Sequence, residues 1–207
     1  MIKWGAPYKK KRGEARMTKI CIVRHGQTDW NKERRLQGST DIELNEMGEL
    51  QARQARDHLK EGEWDVIVTS PLKRARRTAE IINEGLTIPL IVKGEFVERN
   101  FGEAEGKLIE ESRRKYPNGG SPGQETRSEV LSRVLKGIGE IQSAYPDKNV
   151  LLVAHGALIG ILLEYLSEGE FVYGKTHLIN ACINTIHFQD NKWDVKEYNQ
   201  TSHLSGV

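Results

Sequence analysis

The sequence predicts an α/β protein: a three-layer α/β/α sandwich whose central sheet is mostly parallel, with an antiparallel strand at one edge. One observation is that short apolar blocks alternate with helical patterns of ten or more residues, which is typical of β-α-β units. Another is a pair of strand-like blocks near the C-terminus, at 182–188 and 193–198, joined through Asp190-Asn191. This hairpin is expected to supply the antiparallel edge.

The pattern begins only after residues 1–17, which show no periodicity and contain a basic run from Lys9 to Arg12. We interpret residues 1–17 as a basic, flexible N-terminal extension. Residues 18–207 are then interpreted as one domain, which is a common size for a single hydrophobic core.

Strands and helices alternate along this domain. Strands are predicted at four dense apolar or β-branched blocks, at residues 19–24, 65–70, 89–92 and 149–154. Helices are predicted at residues 45–61, 71–83, 107–116, 125–144 and 157–166. Asn45 is the expected N-cap of the first helix, with Leu50, Ala55 and Leu59 on its apolar face. Pro71 is expected in the first turn of the second helix, where a missing N–H is tolerated.

Composition excludes several classes of protein. The net charge of +2 is too small for a general nucleic-acid binder. No apolar run approaches the roughly 20 residues needed to span a bilayer, and no apolar segment of a secretory signal follows the basic N-terminus. Cys21 and Cys182 each lie inside an apolar block, so we expect two buried thiols in a cytoplasmic protein. Since no Cys or His spacing matches a metal site, no metal and no other cofactor is expected.

Two predicted strands each end in a His-Gly pair, at His25 and His155. Because the carboxyl ends of parallel strands meet at one edge of a sheet, we expect these histidines to lie close together despite their separation in sequence. Arg24 directly precedes the first histidine, and Arg74 lies one turn into the helix that follows the strand at 65–70. The sequence therefore predicts that two arginines and two histidines surround one site.

Such a cluster favours phosphoryl transfer on a small phosphorylated metabolite. Two arginines hold a tetrahedral anion with forked hydrogen bonds, and a neutral imidazole beside it is a competent nucleophile. A second imidazole, if protonated, would stabilise the charge in transfer, and no metal is required when the protein supplies the cations. The leaving alkoxide needs a proton from a carboxylic acid, for which the spacing leaves four candidates open: Glu95, Glu98, Glu103 and Glu105.

The segment Arg24-His25-Gly26-Gln27-Thr28-Asp29-Trp30-Asn31 resembles the R-H-G-x-T-x-W-N signature of the histidine phosphatase superfamily, whose members are phosphoglycerate mutase-like. The resemblance continues in the same order at four further segments, residues 35–38, 70–79, 98–106 and 154–156, and covers essentially 18–198. It implies a phosphoglycerate mutase-like fold and a metal-independent phosphatase or mutase.

The resemblance also implies a role for each matching residue. His25 would be phosphorylated, and the phosphate pocket would be completed by Arg24, Arg74 and His155. Asn31 would contact the phosphate, and Gln37 and Gly38 would lie beside the substrate. Glu98 would be the proton donor, because it stands three residues before a Phe-Gly pair. The other histidines carry no motif and are interpreted as structural or surface residues: His58, His177, His187 and His203.

The branch of the family is inferred from a short loop. Mutases of the family carry a longer insertion with extra basic residues after the proton-donor loop. Here only eight residues separate Tyr116 from Glu125, none of them basic, and Arg113 and Arg114 are expected to be helical. We therefore expect a phosphatase similar to the small broad-specificity bacterial members, of unknown oligomeric state. A 2,3-bisphosphoglycerate-dependent phosphoglycerate mutase and a non-catalytic phosphate-binding module remain alternatives.

Overall fold

The computed structural model describes residues 17–205, so most of the predicted N-terminal extension, residues 1–16, lies outside the described residues. The strands are β1 (Thr18–Arg24), β2 (Val66–Thr69), β3 (Leu90–Val92), β4 (Asn149–Ala154), β5 (Ile183–Gln189) and β6 (Lys192–Gln200). They form a sheet in the order β3-β2-β4-β1-β5-β6. The first four are parallel, whereas β5 and β6 are antiparallel to their neighbours. The predicted parallel sheet with an antiparallel edge is confirmed.

Helices cover both faces of this sheet. They are α1 (Asp29–Lys32), α2 (Glu46–Leu59), α3 (Lys73–Asn83), α4 (Ile109–Lys115), α5 (Arg127–Ala144) and α6 (Gly156–Leu166). Successive strand residues point to opposite faces. Ile22 and Leu152 pack among the apolar residues of α5 and α6, whereas Val23 and Val153 pack among those of α2 and α3. The three-layer architecture is therefore confirmed.

The predicted boundaries agree with the structure to within two residues, and three details differ. Pro71 was expected in the first turn of the second helix, but α3 has its N-cap at Leu72, so Pro71 precedes the helix. The short helix α1 was not predicted, because its four residues show no periodicity and a capping box between Thr28 and Asn31 defines it. Leu50 was wrongly placed on the apolar face of α2, since its side chain is 41% exposed. The neighbouring Gln51 is buried instead, and its Oε1 accepts a hydrogen bond from the Gln27 N–H at 2.9 Å.

Both cysteines are buried thiols without a disulfide, as predicted. Burial raises the pKa of the Cys21 thiol to about 12, so it stays protonated at neutral pH. In the stretch from residue 17 to residue 205, no helix combines the length and the apolar character needed to cross a bilayer.

Candidate active site

The register of the sheet places the two predicted histidines side by side. Arg24 is opposite Ala154 in the parallel ladder between β1 and β4, and the next residue on each strand is a histidine. The ring centroids of His25 and His155 lie 5.2 Å apart. The backbone N–H of His25 also donates to the Ala154 carbonyl at 2.9 Å. Pairing at the ends of two strands thus sets the distance between the rings.

A cavity of about 390 Å³ opens beside these rings, near the lower end of the volumes typical of small-molecule sites. Almost all of the predicted site residues line it: Arg24, His25, Asn31, Gln37, Gly38, Arg74 and Glu98. His155 lies behind this lining and is fully buried. The structure therefore brings together residues that are separated by more than 100 positions in the sequence.

The tautomer of His25 follows from one hydrogen bond. Its Nδ1 lies 2.7 Å from the Gly26 carbonyl oxygen. Because a carbonyl only accepts, Nδ1 carries the proton and donates it. In the neutral ring, Nε2 then has the free lone pair. Burial, followed by the charges of Arg74 and Arg24, holds the pKa of His25 well below its ordinary 6.5, so the neutral form prevails at pH 7.

His155 has the complementary arrangement. Its Nε2 lies 2.8 Å from Ser70 Oγ, whereas its buried Nδ1 has no partner among residues 17–205. When the Ser70 hydroxyl donates to Nε2, the ring proton sits on Nδ1. Burial and then Arg74 lower the pKa of His155 well below 6.5. The protonated second imidazole considered from the sequence is therefore disfavoured in the anion-free site.

These two buried rings predict a loss of stability in mild acid. The unfolded chain gains protons on both histidines below about pH 6.5, whereas the folded chain does not, so stability falls as the pH falls. Two such groups give a slope of up to about 2.7 kcal/mol per pH unit, which is approached well below pH 6.5 and is about half as large at pH 6.5. Urea unfolding between about pH 7.5 and 5.5 measures it, and His25→Asn should remove the contribution of one ring, up to about 1.4 kcal/mol per pH unit. A free energy of unfolding that is flat over this range would contradict the prediction.

Two buried arginines face the cavity without a carboxylate partner in the described part of the chain. Arg74 is fully buried and donates to the Gly38 and Thr40 carbonyls at 2.7 and 2.8 Å. Arg24 donates to the Leu178 carbonyl. The Nε of each guanidinium is buried and unpaired among residues 17–205. Burial lowers the pKa of Arg74 to about 10, so it remains charged at pH 7. A bound anion would compensate both cations.

The Glu105 carboxylate holds the loop around Gly38 in place. Glu105 accepts hydrogen bonds from the backbone N–H groups and hydroxyls of Ser39 and Thr40 and from the Phe101 N–H. Gly38 has φ +56°, and a Cβ there would lie 2.0 Å from Glu105 Oε1. A glycine is therefore required for the loop to approach Glu105 while its carbonyl accepts from Arg74.

Only one of the four candidate proton donors lines the cavity. Glu98 is 8% exposed and belongs to the lining. Glu105 is occupied by the loop, Glu95 lies 3.6 Å from Lys136, and Glu103 accepts from the Tyr116 hydroxyl at 3.4 Å. Of the four carboxylates that spacing left open, the folding of residues 94–106 brings Glu98 alone into the described cavity lining.

Glu98 is held at the N-terminus of α6. Its carboxylate oxygens accept from the backbone N–H groups of Ala157 and Leu158, each at 3.0 Å, and of Arg99 at 2.8 Å. A helix N-terminus carries unpaired N–H groups and a positive dipole end, so it binds a carboxylate well. The same helix begins directly after His155, which ties the position of Glu98 to the histidine pair.

Sequence reasoning missed Asn180, which holds the backbone at His25. Its Nδ2 donates to the His25 carbonyl and to Asn31 Oδ1, both at 3.1 Å, and lies 3.3 Å from the Gly26 carbonyl. Thr28 also donates to Asn31 Oδ1, so the donors that Asn31 retains for a ligand are those of its Nδ2. No local pattern marks Asn180, because its partners lie about 150 residues earlier.

Two expectations about basic residues need correction. His177 is exposed, as expected for a surface residue, but it also lines the cavity, which no motif indicated. Arg113 is helical, as expected, yet its helix α4 also lines the cavity, so the short loop after it does not remove basic groups from the site. Both errors arise because the position of α4 and of the segment 167–182 depends on tertiary packing.

The sequence model of the histidine phosphatase superfamily (branch 1) matches residues 20–201. The chain belongs to this superfamily. It is an enzyme of the histidine phosphatase and phosphoglycerate mutase family, as the sequence motifs predicted. The superfamily is named after a histidine, and both histidines at the strand ends, His25 and His155, lie within the matched range.

Several known proteins are similar over nearly the whole chain. The uncharacterized phosphatase PhoE of Bacillus subtilis is 50% identical over 190 residues, which cover 92% of this chain and 98% of PhoE. The structure of Bacillus stearothermophilus YhfR superposes with a TM-score of 0.84 at 27% identity, covering 91% of this chain and all of YhfR. The structure of a phosphoserine phosphatase from Entamoeba histolytica, solved with 3-phosphoglyceric acid, superposes with a TM-score of 0.81 at 30% identity. The match covers 91% of this chain and all of the Entamoeba chain.

Proposed function

We propose that this protein is a phosphatase that hydrolyses small phosphomonoesters through a phosphohistidine on His25, with Glu98 as the proton donor. Residues 18–207 act as a single catalytic domain in this proposal. The observation that carries it is the hydrogen bond from His25 Nδ1 to the Gly26 carbonyl. That bond leaves a lone pair on Nε2 in a buried ring beside two arginines that lack carboxylate partners in the described part of the chain.

In the first step, His25 Nε2 attacks the phosphorus atom and a P–N bond forms as the P–O bond to the leaving alcohol breaks. Arg24 and Arg74 bind the nonbridging oxygens through their unpaired N–H groups, and Asn31 donates through its Nδ2. The buried Nδ1–H of His155, which has no protein partner among residues 17–205, donates to the phosphoryl group in transfer. Glu98, protonated at this stage, gives its proton to the leaving oxygen.

In the second step, water attacks the phosphorus atom of phosphohistidine and the P–N bond breaks. The Glu98 carboxylate takes the proton from that water and is ready for the next cycle. Inorganic phosphate leaves, and His25 returns to its neutral form with Nδ1 still bound to Gly26. Positioning and fixed positive charge supply the stabilisation that a metal ion gives other phosphatases, so the reaction needs no metal.

The substrate is a small phosphorylated metabolite. The cavity of about 390 Å³ holds a phosphoryl group and a short organic portion. Similarity to PhoE and to the Entamoeba phosphoserine phosphatase supports a phosphatase rather than a binding module. Two buried thiols without a disulfide support a cytoplasmic location.

A phosphoglycerate mutase is the second candidate, and Arg113 is the observation that favours it. A mutase must retain an intermediate with two anionic ends, and Arg113 adds a cation to the cavity wall outside the phosphate pocket. The short segment after α4 still favours the phosphatase, because it supplies little cover to exclude water from phosphohistidine.

One paired assay with EDTA present throughout separates these functions. One arm follows phosphate release from p-nitrophenyl phosphate and a panel of alkyl phosphomonoesters. The other follows conversion of 3-phosphoglycerate to 2-phosphoglycerate with 2,3-bisphosphoglycerate added. We expect release without isomerisation. Isomerisation with little release would identify a mutase, no turnover in either arm would indicate a binding module, and activity restored only by a metal ion would refute the metal-independent mechanism.

A further inference from the structure

The side-chain amide of Asn180 contacts two residues of the proposed mechanism from outside the cavity. Its Nδ2 donates to the His25 carbonyl and to Asn31 Oδ1, both at 3.1 Å, and lies 3.3 Å from the Gly26 carbonyl. Asn180 itself is not among the described residues that line the cavity. A residue in this position acts on a bound substrate through the groups that it holds.

The orientation of the Asn180 amide is fixed by its partners. A peptide carbonyl accepts hydrogen bonds and cannot donate, so the NH2 group of Asn180, not its oxygen, must face the His25 and Gly26 carbonyls. The same NH2 group donates to Asn31 Oδ1, which also accepts from the Thr28 N–H at 3.1 Å. With its oxygen held by these donors, Asn31 has its own NH2 group left to donate to an anion.

The Gly26 carbonyl joins Asn180 to the nucleophilic ring. It accepts from His25 Nδ1 at 2.7 Å, and this bond leaves the lone pair on Nε2. Glycine has the greatest backbone freedom of any residue, so a rotation at Gly26 would break the bond and release the ring to exchange tautomers. Because Asn180 contacts the carbonyls of both His25 and Gly26, it restrains two successive peptide units against this rotation.

Asn180 belongs to a turn with a rare backbone conformation. The Cys182 N–H donates to the Ile179 carbonyl at 3.1 Å, and Ala181 has φ +58°, which residues other than glycine rarely adopt. The Ala181 N–H donates to the His25 carbonyl at 3.2 Å. Such conformations persist where the surrounding structure imposes them, and they concentrate at functional sites. The turn thus directs one backbone donor and one side-chain donor at the same carbonyl.

Residues near the C-terminus hold this turn through further hydrogen bonds. Asn199 Oδ1 accepts from the Ile179 N–H at 2.9 Å. His203 Nε2 lies 3.1 Å from the Ala181 carbonyl and donates to it. The Asn180 amide is therefore carried by a segment that is bonded on both sides, as a group must be if it is to hold other side chains to within about 0.5 Å.

We propose that Asn180 is a positioning residue for phosphoryl transfer, which keeps His25 in its reactive tautomer through the Gly26 carbonyl and directs the Asn31 amide at the phosphate. This inference rests on the proposed phosphatase function and adds to it a residue outside the described cavity lining. Asn180 transfers no proton in this role. It contributes fixed hydrogen-bond donors to groups that do contact the substrate.

Two variants of the full chain test the proposal. Asn180→Ala removes the amide, and Asn180→Asp keeps its shape but places an acceptor against the His25 and Gly26 carbonyls. Asn83→Ala is the matched control, because Asn83 Nδ2 also donates to a backbone carbonyl, that of Ile88 at 2.9 Å, and Asn83 lies outside the described cavity lining. The control loses the same kind of hydrogen bond away from His25.

We expect Asn180→Ala to lower kcat/KM for p-nitrophenyl phosphate by about 10- to 10²-fold, Asn180→Asp by at least as much, and Asn83→Ala by less than about twofold. Combined with Asn31→Ala, Asn180→Ala should cost at least about threefold less than the product of the two single losses, because it then has no Asn31 amide to direct. A residue that only supports folding would give multiplicative losses. Imidazole NMR spectra of the anion-free protein should show that His25 loses its preference for a proton on Nδ1 in both Asn180 variants.

Two results would overturn the inference. One is a loss in both Asn180 variants that is no larger than that in Asn83→Ala. The other is a set of multiplicative losses together with an unchanged His25 tautomer. Failure of the wild type to hydrolyse p-nitrophenyl phosphate would instead refute the proposed phosphatase, while the NMR spectra would still decide whether Asn180 fixes the His25 ring.

Discussion

His25→Asn is expected to lower kcat for every phosphomonoester by on the order of 10⁴-fold or more. Asparagine can still donate to the Gly26 carbonyl from nearly the position of Nδ1, so the local backbone contact is preserved. It lacks Nε2, and no P–N bond can form. The variant therefore removes the nucleophilic nitrogen but keeps the hydrogen bond to the Gly26 carbonyl, so a lower rate reports the loss of the nucleophile.

Two measurements check this result. Steady-state release of p-nitrophenol gives the change in rate, and rapid quenching with alkali traps phosphohistidine, which is stable in base and labile in acid. His58→Asn is the matched control, because His58 is exposed on α2 and outside the cavity lining. A His25→Asn protein that retained a tenth of the wild-type rate, or still formed the phosphoenzyme, would exclude His25 as the nucleophile.

Glu98→Gln is expected to lower turnover of alkyl phosphates by about 10²- to 10⁴-fold while lowering that of aryl phosphates by less than about tenfold. An alkoxide is a poor leaving group unless it receives a proton as the P–O bond breaks. A nitrophenolate leaves without this help, so the loss of the acid affects it little. Glutamine has nearly the shape of glutamate but has no proton of suitable acidity to transfer.

The same substitution is expected to cost stability, because Glu98 accepts three backbone hydrogen bonds. Glutamine has one oxygen, so its amide group faces at least one N–H donor that it cannot satisfy, at a cost of about 1–3 kcal/mol. Both substrates should therefore be assayed on one preparation. A smaller folded fraction lowers both rates equally and leaves their ratio unchanged.

Glu103→Gln provides the comparison for this ratio, since Glu103 was a candidate from spacing but lies outside the cavity lining. We expect Glu103→Gln to leave the alkyl-to-aryl ratio at the wild-type value. Equal losses on both substrate types in Glu98→Gln would assign the proton donor to another group. A ratio that falls only in the Glu103 variant would identify that group as Glu103.

Strong local patterns allowed most of the fold to be predicted from the sequence. Buried strands such as β4 are continuous apolar blocks, and its bounds, Asn149–Ala154, match the predicted range. Helix α2 has the expected N-cap at Asn45. Sequence patterns failed where a contact with a distant segment buried a polar residue. Gln51 is buried because its side chain accepts a hydrogen bond from the Gln27 backbone, whereas Leu50 faces solvent.

The sequence by itself determined that two His-Gly pairs end parallel strands, that Arg24 and Arg74 accompany them, and that five motifs occur in the order typical of a histidine phosphatase. These features are local, since each depends on neighbouring residues and on one rule of sheet geometry. Only the tertiary structure shows which ring nitrogen of His25 keeps its lone pair, which carboxylate reaches the cavity and which groups Asn180 contacts. The sequence could not show these features, because hydrogen bonds between segments far apart in the chain leave no periodic signal in it.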